Sequence, residues 1–333
     1  MATGLERRFL SFLSQLPGSE SLDVLLHGQA YAGERRADFL LFDRKVIVEV
    51  KSLEVDTSHK AEAELDRHRN RSDFPVFYGE VEIHKLLRHL PDGQQINDRI
   101  FDRVMRPVEA AMRSAEEQIT NTARLLDLQA SAGVVAFLNE DIDIFSPQLV
   151  VARLNQLLLR KGPDGALRTP VACAWLLFEG HTVAGDPSAK NLPVIALESA
   201  LVDGLPWLPE FVRYLQFAWA QYNGRSLTPD AGVNFTDLDI RSTKSTSEGA
   251  SSEFLTRQEH WQQRYMQRPY LRTLSDVEVL RFGREASDCL QPYLLKDGPR
   301  ASHENLMPFL VKWSDFLCEA ERRGLNLRKM REA

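Results

Sequence analysis

Residues 37–42 read ADFLLF and residues 45–53 read KVIVEVKSL, and these two stretches decide the fold. Both are rich in the branched and aromatic side chains that favour strands. Asp43 and Arg44 separate them and are typical of a tight turn between two antiparallel strands. The sequence therefore predicts a β-hairpin with a two-residue turn.

The predicted hairpin brings three charged side chains to one face. If Asp43 and Arg44 are the turn residues, counting back from them sets Asp38 opposite Glu49. Directly opposed residues of an antiparallel pair project to the same face, with β-carbons roughly 5 Å apart. Lys51 lies two residues beyond Glu49 and projects to that face as well. The alternating valines at positions 46, 48 and 50 point the other way, towards the core.

Two carboxylates held this close repel each other unless something compensates for their charge. A divalent cation does so, and oxygen ligands favour magnesium, with manganese as a substitute. A lysine beside such a metal can orient a water molecule and stabilise charge on a phosphate. The alternative is an exposed charged hairpin, in which Glu49 and Lys51 are ordinary solvent-facing residues and Asp38 is a strand-edge acid.

The two stretches resemble the PD-(D/E)xK nuclease superfamily. The resemblance is carried by residues 36–42, RADFLLF, followed by residues 46–52, VIVEVKS. Members of this superfamily typically have a helix, a hairpin bearing one acid and an acid-x-lysine triplet, then a further helix and strand. The chain departs from the pattern in one respect, because Ala37 stands where the name-giving proline would precede Asp38.

The resemblance implies roles for five residues. Asp38 and Glu49 would bind Mg²⁺, and Lys51 would assist the attacking water. Glu6 matches an additional acid that many members carry on the first helix, although an acid in a first helical turn is also favoured by the helix dipole. Gln118 matches a polar residue that several members place near the phosphate or the metal-bound water. A solvated helix residue is the alternative for Gln118.

The order of the remaining predicted elements indicates an α/β protein with an all-helical C-terminal region. The resemblance implies a restriction-endonuclease-like mixed sheet flanked by helices. We expect a nuclease-like domain over 1–240 with an insertion around 57–100, a loop or linker over 241–252, and the helical region over 253–333. Pro107 predicts a kink or a break in the longest helix. The predicted helices are 5–16, 57–71, 101–128, 147–160 and 211–222, and the predicted strands are 21–26, 37–42, 45–53, 132–139, 171–179 and 192–197.

Composition narrows the class of protein. The chain has 333 residues and a net charge of −6, which neither indicates nor excludes nucleic-acid binding. No apolar run is long enough to cross a membrane, and residues 1–16 lack the pattern of a secretory signal. The three cysteines lie far apart and form no metal-ligand pair. We therefore expect a cytoplasmic protein that does not enter a membrane.

Together these features predict a magnesium-dependent endonuclease that hydrolyses phosphodiester bonds in DNA. A role in defence against foreign DNA or in repair follows from the resemblance alone. Two alternatives stay open: a non-catalytic scaffold that binds nucleic acid or a protein partner, and a nuclease directed at RNA. The helical C-terminal region could form a homodimer or bind a partner. Its interleaved basic and aromatic residues, over 257–272, fit either a nucleic-acid contact or helix packing.

Overall fold

The computed structural model describes residues 4–27, 33–77, 82–183, 191–228, 235, 238–243, 257–294 and 303–332. Within these ranges the protein has an α/β fold with a six-stranded mixed sheet flanked by helices and a helical C-terminal part. This confirms the predicted fold class at that level. None of the described helices is both long enough and apolar enough to span a bilayer.

The chain forms two compact units, one of residues 1–59 and 102–250 and the other of residues 60–101 and 251–333. The region predicted as an insertion and the region predicted as a C-terminal tail thus fall in the same unit. Of the predicted linker, residues 241–242 belong to a strand, and residues 244–252 lie outside the described residues.

The six-stranded sheet belongs to the first unit and has the order β1-β2-β3-β4-β5-β7. Its centre is parallel, since β3 pairs with β4 and β4 with β5 in the same direction, while the other neighbours are antiparallel. A separate two-stranded antiparallel pair joins β6 to β8. The strands are β1 Glu20–Ser21, β2 Phe39–Leu41, β3 Val46–Ser52, β4 Ala132–Asn139, β5 Val171–Phe178, β6 His181–Val183, β7 Val194–Glu198 and β8 Ile240–Ser242.

The described α-helices alternate with these strands and then continue alone to the C-terminal part. They are α1 Gly4–Gln15, α2 Leu22–Leu25, α3 Ser58–Asp66, α4 Ile83–Leu87, α5 Gly93–Leu125, α6 Pro147–Leu158, α7 Leu208–Tyr222, α8 Arg257–Gln267, α9 Asp276–Leu294 and α10 His303–Arg323. Short 3₁₀ turns lie at Ala200–Gly204, Tyr270–Thr273 and Leu327–Arg331.

Two sequence predictions are wrong in detail. Residues 21–26 were predicted as a strand, but β1 ends at Ser21 and Leu22–Leu25 form α2, whose turn is closed by a hydrogen bond from Leu26 N to Leu22 O of 2.9 Å. Of the two outcomes predicted at Pro107, the division into two helices is wrong, because α5 continues through Pro107 and begins earlier, at Gly93. Buried residues on both sides of Pro107, including Val104 and Val108, anchor the helix and override the local cost.

The two faces of the sheet carry different layers. Helices α1 and α7 pack on the face that bears Val46 and Val48, as the alternation of β3 predicts. Helix α5 packs on the opposite face, where Ile119 lies against Gly133 of β4. A β-carbon at Gly133 would lie 2.9 Å from Ile119 Cγ2 and 2.6 Å from Pro170 O, so the glycine permits a close approach of α5. That face also carries Glu49, which pairs with Val135 two residues after Gly133.

The second unit has its own apolar core, formed by residues of α8, α9, α10 and the adjoining 3₁₀ turns. Tyr265 belongs to this core and is almost completely buried, whereas Tyr270 is about half exposed. Helix packing is therefore the better interpretation for Tyr265 in the basic and aromatic stretch. The described residues of this C-terminal part contain helices and no strands, which confirms the helical prediction for them.

Candidate active site

The β2–β3 hairpin has the register that the sequence predicts. Phe39 pairs with Val48 and Leu41 with Val46, so the next position places Asp38 opposite Glu49. The turn is closed by a hydrogen bond from Lys45 N to Phe42 O of 3.1 Å. Its central residues, Asp43 and Arg44, have φ angles of 51° and 63°. Two successive left-handed residues give the turn that matches the twist of a hairpin.

Asp38 is held by the backbone of the neighbouring strand. Its Oδ2 accepts a hydrogen bond from Val50 N at 2.7 Å. Burial raises the pKa of the Asp38 carboxyl above its ordinary value, although the Val50 hydrogen bond and the charge of Lys51 oppose the rise. The Asp38 carboxyl is thus fixed in direction and poorly solvated.

Glu49 is the most constrained acid in the cluster. Its side chain is 2% exposed, and Oε1 lies 2.6 Å from Lys51 Nζ. The second oxygen, Oε2, is buried and has no hydrogen-bond partner among the described protein atoms. Burial, and then the charge of Asp38, raise the pKa of Glu49 to about 8. The alternative in which Glu49 is an ordinary solvent-facing residue therefore does not hold in this structure.

Lys51 joins the hairpin to α5. Its ammonium donates to Gln118 Oε1 at 2.6 Å and to Ser114 Oγ at 3.3 Å. Gln118 in turn donates from Nε2 to Arg36 O at 2.8 Å. Gln118 therefore contacts Lys51 directly. The alternative in which Gln118 is a solvated helix residue does not hold in this structure.

Glu6 is placed elsewhere. It lies on α1, and α1 packs against the face of the sheet that bears Val46 and Val48, whereas Glu49 projects from the other face. Among the residues that the structure describes, no group of three or more His, Cys, Asp or Glu side chains could hold a metal ion. Glu6 consequently does not join Asp38 and Glu49 in a three-acid site.

Sequence reasoning missed two polar residues of α5, Ser114 and Thr122. Thr122 is fully buried, and its Oγ1 accepts a hydrogen bond from Ala37 N at 2.9 Å. Together with Gln118 these residues recur every four positions, which places them on one face of a helix. A polar stripe at this spacing within an amphipathic helix was the available signal.

The donor set of the cluster fits magnesium. Mg²⁺ commonly binds one or two carboxylates and completes its octahedral shell with water and substrate phosphate oxygens, so it needs no all-protein cage. Asp38 and Glu49 supply two carboxylates on one face, and Glu49 Oε2 is a buried oxygen without a hydrogen-bond partner among the described atoms. These residues could hold the ion, with Lys51 next to them.

No protein-family model, curated protein or solved structure matches this chain. The residues of the site and their geometry are therefore what indicates a function.

Proposed function

We propose that the protein is a magnesium-dependent nuclease, with DNA as its substrate. The observation that carries the proposal is the buried pair of opposed acids, in which one oxygen of Glu49 has no partner among the described atoms. Lys51 offsets only part of the charge of the two carboxylates, and a buried charge that is incompletely compensated costs several kcal/mol, by an order-of-magnitude estimate. Such an arrangement is kept where a ligand supplies the missing charge, and perturbed buried acids of this kind cluster at functional sites.

Each residue of the cluster has a distinct role in this proposal. Asp38 and Glu49 would hold the ion, which when bound polarises the phosphate and acidifies a water molecule. Lys51, 2.6 Å from Glu49, would orient the attacking water and stabilise the negative charge that develops on the phosphate. Gln118 holds Lys51 from the side of α5.

The order of elements supports a restriction-endonuclease-like fold. PD-(D/E)xK members have a helix, an acidic hairpin, a second helix and a further strand. In this protein α1, the β2–β3 hairpin, α5 and β4 follow in that order, with β4 parallel to β3. Residues 60–101, which include short helices, lie in sequence between β3 and the part of α5 that contacts Lys51.

A substrate panel tests the proposal. Purified protein is incubated with supercoiled plasmid, linear duplex DNA, single-stranded DNA and single-stranded RNA, each with Mg²⁺ or with EDTA. We expect cleavage of a DNA substrate with Mg²⁺ and none with EDTA. Cleavage of RNA alone would identify an RNA-directed nuclease. Binding of nucleic acid by fluorescence anisotropy without cleavage of any substrate would overturn the proposal in favour of a scaffold.

A further inference from the structure

Both the hairpin and α5 supply oxygen partners to the ammonium of Lys51. A lysine ammonium carries three N–H donors and no acceptor. Three oxygens lie around it: Glu49 Oε1 at 2.6 Å, Gln118 Oε1 at 2.6 Å and Ser114 Oγ at 3.3 Å. Two of these come from α5 and one from β3. Helix α5 therefore contributes as directly to the position of Lys51 as the acid beside it does.

The backbone fixes the direction of every hydrogen bond in this network. Arg36 O can only accept, so the group of Gln118 that faces it at 2.8 Å is the amide nitrogen. The amide oxygen of Gln118 must then face Lys51 and Ser114. Ser114 donates its single proton to that oxygen at 2.9 Å, which leaves a lone pair for Lys51.

The same face of α5 also holds the segment that leads into β2 and carries Asp38. Gln118 binds the carbonyl of Arg36, and one turn further along Thr122 binds the N–H of Ala37. Asp38 is the next residue. Ser114, Gln118 and Thr122, spaced by four, therefore link the position of Lys51 to that of the first metal-binding acid.

We propose that Ser114 is a positioning residue that, with Gln118, holds Lys51 in register with the acid pair. This inference rests on the proposed function for its consequence in catalysis, and on contacts within the protein for its effect on Lys51. Removing the Ser114 hydroxyl takes away one acceptor from Lys51 and one donor from Gln118. The lysine then occupies a wider range of positions beside Glu49.

The first test measures Lys51 itself and needs no metal and no substrate. Metal-free protein is labelled with a trace of acetic anhydride, and the labelling rate of Lys51 is read by mass spectrometry. Ser114→Ala and Gln118→Ala should each raise that rate about fivefold, the factor that corresponds to one hydrogen bond. Ser114→Thr keeps the hydroxyl and should label at the wild-type rate. Because either alanine variant suffices, failure of one to fold leaves the test intact.

Thr120→Ala is the matched control. Thr120 is exposed on the same helix, and the one partner of its hydroxyl among the described residues is Glu116 O, at 2.8 Å, within that helix. An unchanged Lys51 labelling rate in Ser114→Ala and Gln118→Ala would overturn the inference. A rise of equal size in Thr120→Ala would also overturn it, because loss of any hydroxyl on α5 would then be sufficient.

The second test separates this inference from the proposed function. If the wild type cleaves nucleic acid, Ser114→Ala should lower kcat about tenfold with little change in KM, since a misplaced catalytic group slows chemistry more than binding. Ser114→Thr should restore kcat. If the wild type cleaves nothing, the proposed function fails while the labelling result still decides whether Ser114 positions Lys51. Full activity in Ser114→Ala would overturn the catalytic part of the inference.

Discussion

Each of the two units contains an almost completely buried glutamate, and the pKa values of these two glutamates are shifted in opposite directions. Glu319 on α10 lies in the second unit and is fully buried. Its oxygens accept hydrogen bonds from Arg322, from Arg323 at 2.6 Å and from Tyr265 at 2.7 Å. Burial alone would raise the pKa of Glu319, but these three donors outweigh it and lower the pKa to about 2. Glu49 has one lysine, a neighbouring acid and a pKa of about 8.

The difference shows what separates a structural acid from a candidate catalytic one. Two arginines and a tyrosine donate hydrogen bonds to Glu319. Arg323 also donates to the backbone carbonyls of Leu271 and Leu274, so this ion pair links α10 to the adjoining 3₁₀ turn. Glu49 is equally hidden from water, yet its second oxygen has no partner among the described atoms. Removing one partner of a fully satisfied buried ion pair is costly, whereas a buried acid with an unsatisfied oxygen beside a second carboxylate calls for an explanation, which a bound cation supplies in the proposed function.

The largest expected effect comes from neutralising each glutamate in turn. Glu319→Gln leaves two arginines without their anion and should destabilise the protein by about 3 kcal/mol, at the low end for a buried ion pair because Arg322 is partly exposed. Glu49→Gln keeps an acceptor for Lys51 and removes repulsion with Asp38, so its stability should equal or exceed that of wild type. Urea unfolding followed by circular dichroism in EDTA measures both. Equal losses in the two variants would contradict the comparison.

Magnesium should bind the acid pair of Asp38 and Glu49 and should not act on Glu319. Mass action predicts about 2.7 kcal/mol of added stability for wild type at a Mg²⁺ concentration one hundred times the Kd. The shift in Tm should shrink in Asp38→Asn and persist at its wild-type size in Glu319→Gln. Differential scanning fluorimetry with and without Mg²⁺ makes the measurement. A shift of the same size in Asp38→Asn would place the ion elsewhere.

The pH dependence of stability should have opposite signs at the two sites. Glu319 has a lowered pKa, so its contribution is present above its ordinary value of 4.5 and is lost as the pH falls towards about 2. Glu49 has a raised pKa, so in the metal-free protein its contribution is present below 4.5 and is lost as the pH rises towards about 8. Replacing Glu49 by Gln should therefore help most at pH 8, and replacing Glu319 by Gln should cost less at pH 3. Tm measured across this pH range in EDTA checks both trends, and a parallel profile for the two variants would contradict them.

The sequence predicts the site better than its surroundings. Alternation of valines with charged residues, plus a two-residue turn, is enough to place Asp38 opposite Glu49, because side-chain direction in a strand follows directly from position. The same local rule fails at residues 21–26, where pairing to the end of β2 stops after Ser21 and a short helix follows. Whether an apolar stretch extends a strand depends on a partner that is distant in sequence.

Contacts across the fold were the hardest to predict. Ser114 and Thr122 lie more than sixty residues from the atoms they bind, and the packing of α5 on the sheet, where Ile119 lies against Gly133, brings them together. Glu6 illustrates the converse, since its place on the first helix suggested a site role, while the helix packs on the other face of the sheet. Pairing of residues 60–101 with the C-terminal region was likewise not visible in local patterns.

The most direct measurement of the central claim is the rate of Mg²⁺-dependent cleavage by wild type, Glu49→Gln and Lys51→Ala on one substrate that the wild type cleaves. Glu54→Gln is the matched control, because Glu54 is an exposed acid just beyond β3. The proposed roles predict that both site variants lose at least about a hundredfold in rate, while Glu54→Gln cleaves as wild type does. Cleavage at the wild-type rate in Glu49→Gln or in Lys51→Ala would contradict the assignment of Asp38, Glu49 and Lys51 as the active site.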